Sequence, residues 1–187
     1  MVIVALWLLL LGFLIYGAIL LGRLRREDPS LWPEVFLGPA GARLRIHPAW
    51  KVENRVGFLR IVTGIENGLL VVEAAAHEPI PPSAPAPPEA RLRDWLSMSG
   101  ITFDSMQIES FVAPAGAGAR LGSAGTEPSG ERRYFEFHLI TGPAQNILFR
   151  YCCPVLAGSF EALSLARAVA SLRFDPARSE TPAGPTQ

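Results

Sequence analysis

Arg133-Tyr-Phe-Glu-Phe-His-Leu-Ile140, Thr141-Gly-Pro-Ala-Gln145 and Asn146-Ile-Leu-Phe-Arg-Tyr-Cys-Cys153 read in succession as strand, turn and returning strand. Side chains on a strand alternate between its faces, so Phe135, Phe137 and Leu139 share one face and Tyr134, Glu136 and His138 the other. The first set is purely apolar and marks a core face. The second places a carboxylate beside an imidazole, either as a solvated pair or inside a second packed layer. After the returning strand, Ser159 is a candidate N-cap for a helix over Phe160–Ser171, with Glu161 in its first turn. Leu163, Ala166, Val169 and Ala170 would give that helix a narrow apolar stripe to lay on the sheet.

Upstream, Gly57–Thr63 and Leu69–Ala75 are rich in β-branched and aliphatic residues and flank Asn67-Gly68, a strong hairpin signal. A short alternating strand, Arg43-Leu-Arg-Ile46, precedes them and is followed by His47-Pro-Ala-Trp50. Glu89–Ser99 has helical periodicity, with Leu92, Trp95, Leu96 and Ser99 on one face and Gly100 as the stop. Ser105–Val112 resembles a strand with a face change near Glu109. Pro114–Gly130 is small and polar, with Gly at 116, 118, 122, 125 and 130, and reads as a surface loop. It has neither a Gly-Lys-Ser/Thr ending nor a dinucleotide-turn spacing. Antiparallel strands joined by hairpins, with amphipathic helices to cover their faces, make an α+β sandwich.

Leu44-x-Ile46-x-Pro48-x-Trp50, the aromatic hairpin over 134–153, and a closing helix that ends Ala170-Ser-Leu-Arg-Phe174 together resemble the PsbP/Mog-type α/β/α sandwich, including the small bacterial DcrB-like domains. The resemblance spans about residues 43–175, and the Pro-rich insertion 79–88 departs from it. It implies a non-catalytic accessory or assembly role beside a larger complex, and it carries over no site residue.

The N-terminus has a separate character. Val2–Leu21 holds no charge and no Pro, and about 20 helical residues span a bilayer's hydrocarbon core. The long apolar run and the Arg-rich exit, Arg23, Arg25 and Arg26, favour an uncleaved anchor over 1–22 rather than a signal peptide or a core helix. Arginines only after the span favour a cytoplasmic body. Residues 23–42, interrupted by Pro29, Pro33 and Pro39, read as a tether in which Trp32 suits either the membrane interface or the domain surface. The sandwich domain then occupies 43–175, with 79–88 as a stiff spacer and 176–187 as a disordered tail.

Composition narrows the chemistry. The chain carries 17 basic and 17 acidic residues, so no basic field points to nucleic acid. Arg in place of Lys, with heavy Ala, Gly and Pro usage, reads as the bias of a GC-rich bacterial genome. Cys152 and Cys153 are adjacent, point to opposite faces, and are poorly placed to pair with each other. His47, His77 and His138 lack metal-ligand spacing, and Ser97, Ser99 and Ser110 lack a nucleophile elbow. No catalytic, cofactor or metal residue is therefore assigned. The expected function is a non-enzymatic, single-pass accessory or assembly subunit in the bacterial inner membrane. Its partners would be the lipid bilayer, through Val2–Leu21, and integral membrane proteins. The alternative is an envelope-facing ligand-binding domain held by an uncleaved signal anchor.

Overall fold

The computed structural model describes residues 2–38, 41–55, 58–63, 68–76, 86–142, 145–157 and 161–175. The turn residues 64–67, His77, the Pro-rich stretch up to residue 85, Ser159 and the tail 176–187 lie outside them. Helix α1 (Val2–Glu27) leads into a short 3-10 turn (Pro29–Leu31). Strands β1 (Glu34–Leu37), β2 (Ala42–Arg45), β3 (Lys51–Arg55), β4 (Phe58–Thr63) and β5 (Gly68–Ala76) follow. Helix α2 (Pro88–Met98) precedes β6 (Thr102–Phe103), β7 (Glu109–Ala113), β8 (Gly116–Thr126), β9 (Arg132–Thr141) and β10 (Gln145–Pro154). Helix α3 (Ala162–Ala170) and β11 (Arg173–Phe174) close the chain.

Two antiparallel sheets result. The larger has the order β3-β4-β5-β10-β9-β8-β6, with β7 also paired to β8, and the smaller is β1-β2-β11. Hairpins β4–β5 and β9–β10 pair as their alternation requires, Thr63 opposite Gly68 and Asn146 opposite Thr141. Strand β10 also pairs with β5, so the last hairpin strand closes against one nearly eighty residues upstream. This mixed α+β sandwich is the architecture expected from the sequence.

Strand β9 serves both cores. Phe135, Phe137 and Leu139 join Leu92 and Leu96 of α2 and Ala119 and Leu121 of β8 on one face. On the other face Ile140 joins Ile147, Phe149, Tyr151, the small sheet and α3. Leu92 and Leu96 are almost wholly buried, each contributing about 1.5–3 kcal/mol over an exposed position. Pro88 is the first residue of α2, where its missing N–H costs nothing, rather than the end of the insertion. Gly100, at φ 72°, follows the helix in the left-handed conformation.

Several expectations are corrected. Residues 116–126 form β8, an interior strand between β9 and the pair β6 and β7, not a surface loop. Its glycines are there for packing: a Cβ on Gly118 would lie 2.6 Å from the Phe111 ring and 2.9 Å from the Leu139 carbonyl oxygen. The stripe of α3 is rotated from the expected one, with Leu165, Ala168 and Val169 buried and Leu163 61% exposed. Glu161, not Ser159, occupies the N-cap, and it makes no side-chain cap bond. Between the expected strands at 43–46 and 57–63 lies β3, Lys51-Val-Glu-Asn-Arg55, whose single apolar residue, Val52, gives no apolar alternation to read. The presumed tether contains β1, which pairs with β2, and Trp32 is 3% exposed within the core. Its indole docks on the domain.

Helix α1 contrasts with all of this. Trp7, Leu10, Phe13, Tyr16 and Leu20 are exposed along it, Phe13 by 77%. Among the described residues no helix is long and apolar enough to cross a membrane.

Candidate binding site

Helix α2 lies over β8 and β9, and the sheet continues beyond it into β10 and β5. In the angle between helix and sheet is a groove of about 300 Å³, lined by Leu69 and Val71 of β5, Trp95, Phe137, Arg150 and Cys152, among others. Its floor follows from strand alternation: Leu69, Val71 and Glu73 share one face of β5, and Arg150 and Cys152 the same face of β10. Leu69 and Val71 are only half-buried, unlike Leu70 and Val72 on the opposite face.

The groove has one organised cation. The Arg150 guanidinium lies 5.5 Å from the centroid of the Trp95 ring and 3.3 Å from a Glu73 carboxylate oxygen. Trp95 in turn sits 5.4 Å from Phe137 at a tilt of 53°. A guanidinium held over an indole and tied to a carboxylate keeps its orientation while its edge stays at the rim. Cys152 lies beneath it. Burial pushes the Cys152 thiol up from its ordinary value, which keeps it protonated and poorly nucleophilic. The chemistry on offer is apolar contact beside a fixed positive charge.

On the opposite face a second cavity, about 330 Å³ and polar, is lined by Ser105, Gln107, Glu109, Arg120, Tyr134 and Glu136, with Gly122 and Ala162 completing it. Glu136 and His138 lie 2.7 Å apart and are both buried, so the pair belongs to the second packed layer. His138 meets the Phe111 ring edge-on at 5.8 Å. Arg120 is paired to Glu109 at 2.7 Å, which neutralises the cavity mouth. Burial, and then the Glu136 charge, raise the Tyr134 phenol above its usual value.

The other sequence candidates are dispersed. His47 sits between Trp32 and Trp50, at ring separations of 5.1 and 5.8 Å, and its Nδ1 accepts the Ala49 N–H. His77 lies outside the described residues. Thus His47 and His138 have different ring and hydrogen-bond partners, and among the described residues no group of His, Cys, Asp and Glu is placed to hold a metal. Cys153 is buried in the α3-side core, opposite Cys152, and neither is in a disulfide. Ser97 and Ser99 donate to backbone carbonyls of α2. Ser110 donates to Glu89. Alternation along β10 puts Arg150 and Cys152 on one face, but the groove has no local signature in the sequence, because Trp95 reaches it from about fifty residues away.

Against solved structures the chain is similar to cyanobacterial PsbP (CyanoP) from Synechocystis sp. PCC 6803. The TM-score is 0.55 at 11% identity, covering 76% of this chain and 91% of that one. It is also similar to the Ran-binding protein Mog1p of Saccharomyces cerevisiae, with TM-score 0.54 and 10% identity, covering 79% and 97% respectively. The fold is therefore PsbP/Mog-like. No protein-family model matches the sequence. No curated protein matches it either.

Proposed function

We propose that the chain is a membrane-anchored, non-enzymatic binding module, an accessory or assembly subunit of a larger complex in the bacterial inner membrane, with its domain on the cytoplasmic side. One observation carries this reading: the domain gathers most of its described apolar side chains into two cores and exposes others at separate positions, such as Val112 and Leu156, while α1 leaves a run that includes Trp7, Leu10, Phe13, Tyr16 and Leu20 exposed. A helical run as uncharged as Val2–Leu21 is stable in lipid, where its backbone is self-satisfied and its side chains need no protein partner. The run Val2–Leu21 has the necessary length, and Arg23, Arg25 and Arg26 follow it.

A protein partner fits the groove between α2 and β5. Aromatic and aliphatic surface around an oriented arginine is the composition of interface hot spots. The similar Mog1p is a Ran-binding protein, so protein recognition has a precedent on this fold. The non-enzymatic part of the reading is supported by a Cys152 thiol whose ionisation burial disfavours.

The test is site-specific photocrosslinking in intact cells, with the reactive residue placed at Val71 in the groove or at Leu163 on exposed α3. An adduct to an integral membrane protein from position 71 and none from 163 is the expected pattern. Equal labelling from both positions, or labelling only of periplasmic components, would overturn it. The second of these would move the envelope-facing ligand-binding alternative to first place.

A further inference from the structure

The chain leaves α1 through a capped 3-10 turn. Asp28 caps the 3-10 turn by accepting the Ser30 N–H at 2.8 Å, and the next residue, Trp32, is in the core. Arg167 of α3 donates to the Glu27 carbonyl at 3.0 Å, tying the far end of the sandwich to the end of α1. The surface beside the 3-10 turn is thereby fixed next to the point where α1 ends.

That surface contains a pocket of about 220 Å³ lined by Pro29, Ser30, Glu34, Arg45, Arg167 and Arg173, with Ala170 and Ser171 at its back. Its three guanidiniums come from β2, α3 and β11, brought together by the small sheet. Two carboxylates border it. Glu34 lines the pocket opposite Arg45 in the β1–β2 ladder, with its carboxylate 3.8 Å from Arg43. Asp28 caps the turn, close enough to Arg45 for that charge to add to the Ser30 hydrogen bonds in lowering its pKa. Asp175 is paired to Arg43 at 3.1 Å. Among the described residues no carboxylate lies within ion-pair distance of Arg45, Arg167 or Arg173. The Ser171 hydroxyl accepts the Arg45 backbone N–H at 2.7 Å and fixes the back wall.

We propose that this pocket takes the phosphodiester headgroup of an anionic phospholipid, which clamps the domain against the inner leaflet. The proposal rests on the anchor reading for its geometry: with α1 in the bilayer, a pocket at the helix exit lies at headgroup level. Guanidinium forks match phosphate oxygens in shape and charge. Basic residues at an anionic surface each add measurably to attachment.

The full chain, purified in a non-ionic detergent, would be titrated with dioctanoyl phosphatidylglycerol, with dioctanoyl phosphatidylcholine and with inorganic phosphate, and its melting temperature followed. A saturable rise with phosphatidylglycerol alone is expected. In the R45Q/R167Q/R173Q variant, apparent affinity should fall at least about tenfold. The R60Q variant, altered on the remote β4 and paired to Glu53, should keep it. Equal response to phosphatidylcholine would overturn the proposal, as would a triple variant that retains the preference. Inorganic phosphate displacing the lipid at equal concentration would make this a site for soluble phosphate and would overturn the lipid assignment. If the triple variant does not fold, the wild-type titration still decides. Alkaline extraction of membranes reports the anchor separately, so the two readings fail by different results.

Discussion

Trp32 donates its indole N–H to the backbone carbonyl of Arg26 at 3.2 Å while its ring is buried at 3% exposure. One side chain thus joins the last turn of α1 to the hydrophobic core. Trp32→Phe keeps an aromatic ring in the core and loses the hydrogen bond, an expected loss of about 0.5–1.5 kcal/mol. Trp32→Ala empties the site and should cost about 3–5 kcal/mol. Urea unfolding of the full chain in detergent measures both, and an alanine variant as stable as wild type would contradict the docking of the indole.

The Glu136–His138 pair makes a sharper prediction. Glu136→Ala leaves a buried imidazole without its partner and should destabilise by about 1–3 kcal/mol. Replacing both residues, Glu136→Leu with His138→Phe, removes the polar groups together and should recover most of that loss. A double variant no more stable than Glu136→Ala would argue against a purely structural pair.

Strand β8 can be tested at Gly118. A methyl group there meets the Phe111 ring and the Leu139 carbonyl, and the carbonyl belongs to a paired strand that cannot move aside. Gly118→Ala should therefore cost about 1–3 kcal/mol, where an exposed loop glycine would cost little. Thermal unfolding decides between the two.

His47 gives the chain a pH dependence. Burial, then the charges of Arg26 and Arg167, lower its pKa from 6.5. The unfolded chain takes up that proton more readily, so stability is complete above pH 6.5 and is lost as pH falls from there toward the folded value. His47→Gln should flatten this part of the stability profile. An unchanged slope in the variant would assign the dependence to another group.

Much of this architecture is legible in the chain, and the exceptions have physical causes. The β9–β10 hairpin and the split of its two faces follow from alternation, because Phe and Leu occupy every second position between residues 135 and 139. Helix α2 follows from Leu92 and Leu96 at helical spacing. Strand β8 was hidden because Gly, Ala and Ser carry no apolar signal, yet their smallness is what lets the Phe111 and Tyr134 rings lie against the strand. Periodicity alone puts the stripe of the short α3 on Leu163, and packing in the fold turns Leu165 inward instead. Strand β1 was masked by neighbouring prolines. Neither the groove nor the arginine pocket has a local signature, since Trp95 meets Arg150, and Arg45 meets Arg167, only through the fold.

The most direct measurement is alkaline carbonate extraction of membranes from cells that make the full chain with a tag after Gln187, joined to protease accessibility of that tag. Retention in the membrane pellet, with the tag protected behind the intact inner membrane, is the expected result. Release of the chain into the supernatant would contradict the anchor, and an accessible tag on a retained chain would contradict its cytoplasmic orientation.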